Sequence, residues 1–119
     1  MRALLEHERP LVSFLFELAG LPIELDVLRV TPMQDGGMGS LAIAPLGRTF
    51  GSAVAECHFR DLDAALVSVA LNVDVAGVPT EIDIWRVDFN PLAHWPGRTE
   101  LRAGPPNNSS KPTPLRGAA

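Results

Sequence analysis

The fold is decided by residues 66–89, LVSVALNVDVAGVPTEIDIWRVDF. Apolar residues alternate with polar or small ones through LVSVALNVDV and again through PTEIDIWRVDF, the period of two that sends successive side chains to opposite faces of a sheet. Between the two runs lies Ala76-Gly77, where glycine supplies the positive φ that a tight turn needs. Any even-length loop there gives both strands consistent faces. Val67, Val69, Leu71 and Val73 then join Thr80, Ile82 and Ile84 on the core face, while Ser68, Ala70, Asn72, Asp74, Glu81, Asp83 and Trp85 point outward. A slip of one residue would exchange the two sets, so the pattern also fixes the register.

The same period extends upstream. LAIAPL (41–46) and SAVAECHF (52–59) read as strands, and LRVTPM (28–33) as a first one, separated by Gly, Asp and Pro signals. In SAVAECHF, Ala53, Ala55, Cys57 and Phe59 take the inward parity, leaving Ser52, Val54, Glu56 and His58 outward. Connections this short leave no room for crossover helices, so the sheet is expected to be an antiparallel meander of about five strands. Ahead of it, Leu11, Phe14, Leu15 and Leu18 recur at helical spacing. Pro10 suits only a first turn, and Gly20 followed by Pro22 marks the stop, giving a helix over residues 8–19. PIELD (22–26) can add a further turn. The expected fold class is α+β, with an amphipathic N-terminal helix packed on the antiparallel sheet in two layers.

With 119 residues and 46% hydrophobic content, the chain has material for one core and not two. Residues 1–97 are expected to form the domain and residues 98–119 a peripheral basic tail rich in Pro, Ser and Asn. Up to Gly97 there are 13 acidic against 6 basic residues, whereas the tail sets four cations against Glu100. An acidic body lacks the Lys and Arg that nucleic-acid binding uses to neutralise phosphates, so no nucleic-acid partner is expected. The start MRALLEHERP carries charges where a signal peptide needs an apolar stretch, and the apolar run after it is short and holds Glu17. No membrane partner is expected. A single cysteine excludes an internal disulfide and fits a cytoplasmic location.

The outward face collects Glu56, His58, Asn72, Asp74, Glu81, Asp83 and Trp85. Such a set serves as a solvated sheet face, or as a surface for a small molecule or protein with Trp85 as anchor. A metal site is not expected, because no HxxxH, HxH or second histidine accompanies His58. Beyond Trp85 the same parity gives Val87 and Phe89, an apolar strip that needs cover from residues 90–95 or from a second copy in a homodimer. Arg86 and Asp88 fall on the core parity, a conflict resolved by a bulge, by the end of the sheet or by their meeting as a partly buried pair. Cys57 reads as a small buried apolar residue rather than a nucleophile. His94 reads as an exposed loop residue and Trp95 as packing on the sheet edge.

QDGGMGSLAI (34–43) has the glycines of a phosphate-cradling loop without its setting. A strand follows rather than a helix, and neither GxGxxG nor GxxxxGK[ST] is present, so a hairpin connection is expected and no cofactor. Asp35 and Ser40 are its polar candidates. GxSxG and HExxH are also absent, which makes a noncatalytic binding module the first expectation. The alternative is a small enzyme using Asp35, His58 and Asp88 as acid and base groups.

DGGMGSL (35–41) and EIDIWRVDFNPL (81–92) resemble motifs of a family of small bacterial domains of unknown function, over residues 4–96. The resemblance implies that Asp35, Gly36, Gly37, Gly39, Trp85, Asp88, Phe89 and Pro91 form the family's signature, without assigning them roles. The tail carries a second resemblance. KPTPLRGAA (111–119) can be encoded so that AAGCCG and CCCCGC pair with GCGGGG and CGGCTT, leaving one adenine unpaired. That hairpin is similar to the attC recombination site that follows genes in integron cassettes, here translated before the stop codon. It implies a tail shaped by DNA folding, and cargo that includes immunity and antitoxin proteins.

Overall fold

The computed structural model describes residues 1–106. One helix, α1 (Arg9–Ala19), precedes most of a single sheet made of β1 (Arg2–Ala3), β2 (Arg29–Pro32), β3 (Leu41–Ile43), β4 (Phe50–Arg60), β5 (Leu66–Asp74), β6 (Pro79–Arg86) and β7 (Arg102–Ala103). Every pairing is antiparallel. The sheet has seven strands rather than five, and the two additions are the two-residue edge strands β1 and β7, too short to show a period.

The order β1-β2-β3-β6-β5-β4-β7 is not that of one meander. Two three-stranded meanders, β1-β2-β3 and β4-β5-β6, are joined where β3 pairs with β6 through Leu41–Ile82 and Ala42–Glu81. The connection from β3 to β4 therefore crosses the ends of β6 and β5 instead of turning back as a hairpin. Arg48 holds it there, donating to the carbonyl of Pro79 (2.7 Å) and to Asp74 (3.2 Å).

The core face follows the expected parity along β5 and β6. Val67, Val69, Leu71, Ile82 and Ile84 are buried together with Cys57 and Phe59 of β4, and α1 covers β4 and β5. Burying one such side chain is worth about 1.5–3 kcal/mol. In α1 the buried residues are Leu11, Val12, Leu15 and Phe16; Phe14 is partly buried and Leu18 is exposed. The helix is thus rotated from the expected stripe, and Gly20 caps it at φ +69°. Residues 25–27 form a single 3-10 turn.

Two β-bulges interrupt β4, between Phe50 and Ser52 and between Ala53 and Ala55. The second reverses parity, so Ala53, expected inward, pairs with Asn72 and is exposed. At the first, Gly51 passes so close to β5 that a Cβ would lie 2.4 Å from the Asp74 carbonyl oxygen.

The segment after Gly97, expected as tail, packs on the body as far as it is described. Arg98 pairs with Glu17 and lies 5.2 Å from the centre of the Phe14 ring, Leu101 is buried, and β7 pairs with β4. The remaining tail, including KPTPLRGAA, lies outside the described residues.

Candidate groove on the outward sheet face

The register arranges the outward face in rows across β4, β5 and β6. His58, Ser68 and Trp85 form one row, Glu56, Ala70 and Asp83 the next, and Ala53, Asn72 and Glu81 a third. In the first two rows the central strand offers only a hydroxymethyl and a methyl group, between larger neighbours on both sides. The result is a trough floored by Ser68 and Ala70. Trp85 and Val87 wall one side of it, and Pro105 and Pro106, arriving after β7, wall the other. Its volume is about 450 Å³, within the range of small-molecule sites.

Trp85 is 46% exposed, a large apolar area to leave in water. It leans toward Phe89, with ring centres 6.0 Å apart. Residues 90–95 do not cover this strip: they run to the glycine loop, where Leu92 N–H donates to the Gly37 carbonyl at 2.9 Å, and Val87 and Phe89 stay exposed. Glu56 and Asp83 flank Ala70 at two strand spacings, about 10 Å apart at Cα. Among the described residues neither has an ion-pair partner, and Asp83 has the Ser40 hydroxyl at 3.5 Å.

The other candidate residues serve the fold. Asp35 accepts from the Met38 N–H (3.1 Å) and the Ser40 N–H (2.9 Å), closing the glycine loop on itself. Burial alone would raise its carboxyl, but these donors outweigh it and hold it below its ordinary value. Ser40 is buried, its hydroxyl accepting from Ile84 N–H (2.8 Å) and donating to the Ile84 carbonyl (3.1 Å). Asn72 and Asp74, expected on an open face, are buried. Asn72 donates to Glu81 at 3.3 Å, while Asp74 pairs with Arg48 and caps the Ala76 and Val78 amides of the hairpin turn at 2.9 Å each. The backbone donor of Val78, more than any other cause, keeps the Asp74 carboxyl low. His58 is half-buried, with Nδ1 2.9 Å from the Gly104 carbonyl oxygen, which makes Nδ1–H the donor. It faces a neighbouring depression shared with Arg60, Glu100 and Arg102.

Asp88 belongs to a different arrangement, whose extent no local sequence pattern marks. Arg86, buried on the core side, donates from Nε and Nη2 to Asp88 (2.7 and 3.0 Å), from Nη1 to Asp61 (2.7 Å) and from Nη2 to Asp63. Asp61 also accepts the Ala93 N–H at 2.8 Å, so the guanidinium gathers β6, the turn after β4 and the closing segment around one charge. Hydrogen bonds from Arg86 hold the Asp88 carboxyl far below the usual range. For Asp61, burial opposes ionisation, yet the Ala93 and Leu62 amides and Arg86 prevail. Asp35, His58 and Asp88 make no hydrogen bond with one another, each being engaged by local partners. Among the described residues no group of three or more His, Cys, Asp and Glu is disposed to hold a metal ion. Burial pushes the Cys57 thiol up to about 12, in keeping with a core residue.

Sequence reasoning missed Ser68 and Ala70 as a floor, since small residues carry no chemistry to notice. It missed Pro105 and Pro106 because they were assigned to the tail, and Asp61 and Asp63 because nothing local ties them to Arg86. Neither the curated proteins nor the solved structures contain a match to the chain. One family model does match, over residues 1–96, nearly the extent expected from the two motifs. The loop that Asp35 closes and the segment that Asp88 anchors both lie inside it, and the chain belongs to the family described as a domain of unknown function, DUF6984.

Proposed function

We propose that this protein is a noncatalytic binding module whose site is the trough between Trp85 and the Pro105-Pro106 wall. The observation that carries the reading is the trough itself: about 450 Å³, floored by Ser68 and Ala70 and open beside a half-exposed tryptophan. Buried aromatic anchors dominate recognition energetics, and Trp85 is the residue placed to become one. The engagement of Asp35 and Asp88 by structural donors favours binding over acid–base chemistry. The exposed strip of Trp85, Val87 and Phe89 further supports a homodimer, and the lone buried Cys57 a reducing cytoplasm. The resemblance of KPTPLRGAA to a translated attC hairpin supports carriage on an integron cassette, and with it an immunity-like role.

The test is a fragment screen read by backbone amide shifts, with Trp85→Ala beside the native chain. Ligands are expected to move the amides of Ser68, Ala70 and Trp85, and to lose at least tenfold in affinity in the variant while its melting temperature stays within a few degrees. A variant that binds as well as the native chain, or one that unfolds, returns Trp85 to an ordinary packing role.

A further inference from the structure

Resting on that reading of the trough, we propose that its ligand class is a small organic cation: a protonated amine carried on an apolar body about the size of one aromatic ring. Glu56 and Asp83 stand on opposite sides of Ala70 in one row, and the indole of Trp85 stands in the adjoining row. A cation above Ala70 thus lies in a trough lined by Glu56 and Asp83 in its own row and by the indole of Trp85 in the next, the residue types that recognise ammonium groups. Its apolar body lies on the methyl floor against Val87 and the proline wall. Among the described residues no basic side chain lines the trough. The cation nearest in register, Arg102 opposite His58, directs its guanidinium to the carbonyls of Thr99 and Leu101 at 3.0 and 3.1 Å. An anionic ligand of the same shape would meet two carboxylates without compensation.

The source is a free small molecule rather than a lysine or arginine on a protein, because the trough is closed on two sides by walls and suits a compact body. Titration of the full chain with phenethylamine, phenethyl alcohol and hydrocinnamate, followed by backbone amide shifts, separates the three charges on one scaffold. The amine is expected to bind at least tenfold more tightly than the alcohol and the acid more weakly than either. In the double variant Glu56→Gln, Asp83→Asn the amine should fall to within twofold of the alcohol, whose own affinity is unchanged. Equal affinity of amine and alcohol for the native chain, with shifts at Ser68 and Ala70, overturns the cation while leaving the trough as a binding site. The same overturning follows if the double variant keeps the tenfold preference. Absence of shifts at Ser68 and Ala70 with all three compounds overturns both.

Discussion

Replacing Ser40 with alanine tests how the two meanders are held together. β3 ends at Leu41, opposite Ile82, and the next rung toward Ile84 is made by a side chain: the Ser40 hydroxyl accepts from Ile84 N–H and donates to its carbonyl. Ser40→Ala removes both partners at a site only 3% exposed. Loss of the single hydroxyl oxygen leaves too little room for a replacing water, so two backbone groups are orphaned. Each costs about 1–3 kcal/mol when buried and unpaired, and the variant is expected to lose about 2–6 kcal/mol in all. At about 4 °C per kcal/mol for a domain of this size, that lowers the melting temperature by about 8–24 °C. Urea unfolding gives the free energy, and hydrogen exchange at the Ile84 amide shows whether that rung has opened. Ser52→Ala, at an exposed site in β4, is the control and should stay within about 0.5 kcal/mol. A loss below about 1 kcal/mol in Ser40→Ala with unchanged protection at Ile84 would refute the reasoning.

Gly51→Ala drives a Cβ toward the Asp74 carbonyl, 2.4 Å from its ideal position, and is expected to cost about 1–3 kcal/mol in urea unfolding; a neutral result would mean that the bulge in β4 relaxes freely. The carboxyls of Glu8, Asp35, Asp61, Asp63, Asp74 and Asp88 are all held below their ordinary values in the folded chain. The unfolded chain therefore takes up protons first as pH falls, so stability is full above about pH 5 and declines through pH 4 and below; equal urea midpoints at pH 3 and pH 6 would contradict this. The Cys57 thiol, buried and raised to about 12, should react with a thiol reagent at pH 8 only at the rate of unfolding, and rapid stoichiometric labelling of the native chain would place it elsewhere.

What the sequence disclosed, and what it withheld, divides along the range of the interactions. Alternation in 66–89 reported the core face of β5 and β6 because Val67, Val69, Leu71, Ile82 and Ile84 answer to burial alone, and Cys57 and Phe59 followed from the same parity. Ala53 escaped it because a bulge counts one residue twice, which no alternation records. The helix was placed within one residue, yet its buried stripe was misassigned, since Val12 and Phe16 compete equally with Phe14 and Leu18 for the sheet. Of the candidate site, Glu56, Asp83 and Trp85 were legible as an outward set. Asn72 and Asp74 share their parity but are buried, Asp74 by the Arg48 crossing, a contact set by a topology in which β3 pairs with β6. The conflict at Arg86 and Asp88 was legible as a conflict. Its resolution needed Asp61 and Asp63, which lie 25 and 23 residues away and meet the guanidinium only when β4 and β6 flank β5.

The residues of the two family-like motifs converge on architecture. Asp35 closes the glycine loop; Gly37 lets Pro91 approach, a Cβ there lying 3.2 Å from that ring; Gly39 does the same for Trp95 at 3.1 Å; and Asp88 holds Arg86. The two glycine approaches, with the Leu92 N–H donating to the Gly37 carbonyl, hold the closing segment against the loop rather than along the Trp85 strip. That choice has a consequence for Trp85, a motif residue on the outward face. Had residues 90–95 folded back along the strip, they would have covered Val87 and Phe89 and narrowed the trough. Bound instead to the glycine loop, they leave the strip exposed, and the second wall comes from Pro105 and Pro106, beyond the end of the family match at residue 96. The open side of the trough is thus set by the motifs, and its second wall by a segment outside them. If the proposed site is right, Pro105→Ala with Pro106→Ala should change the relative affinities of the amine and the alcohol in the amide-shift titration while the urea midpoint stays as in the native chain, and unchanged relative affinities would take the prolines out of the site.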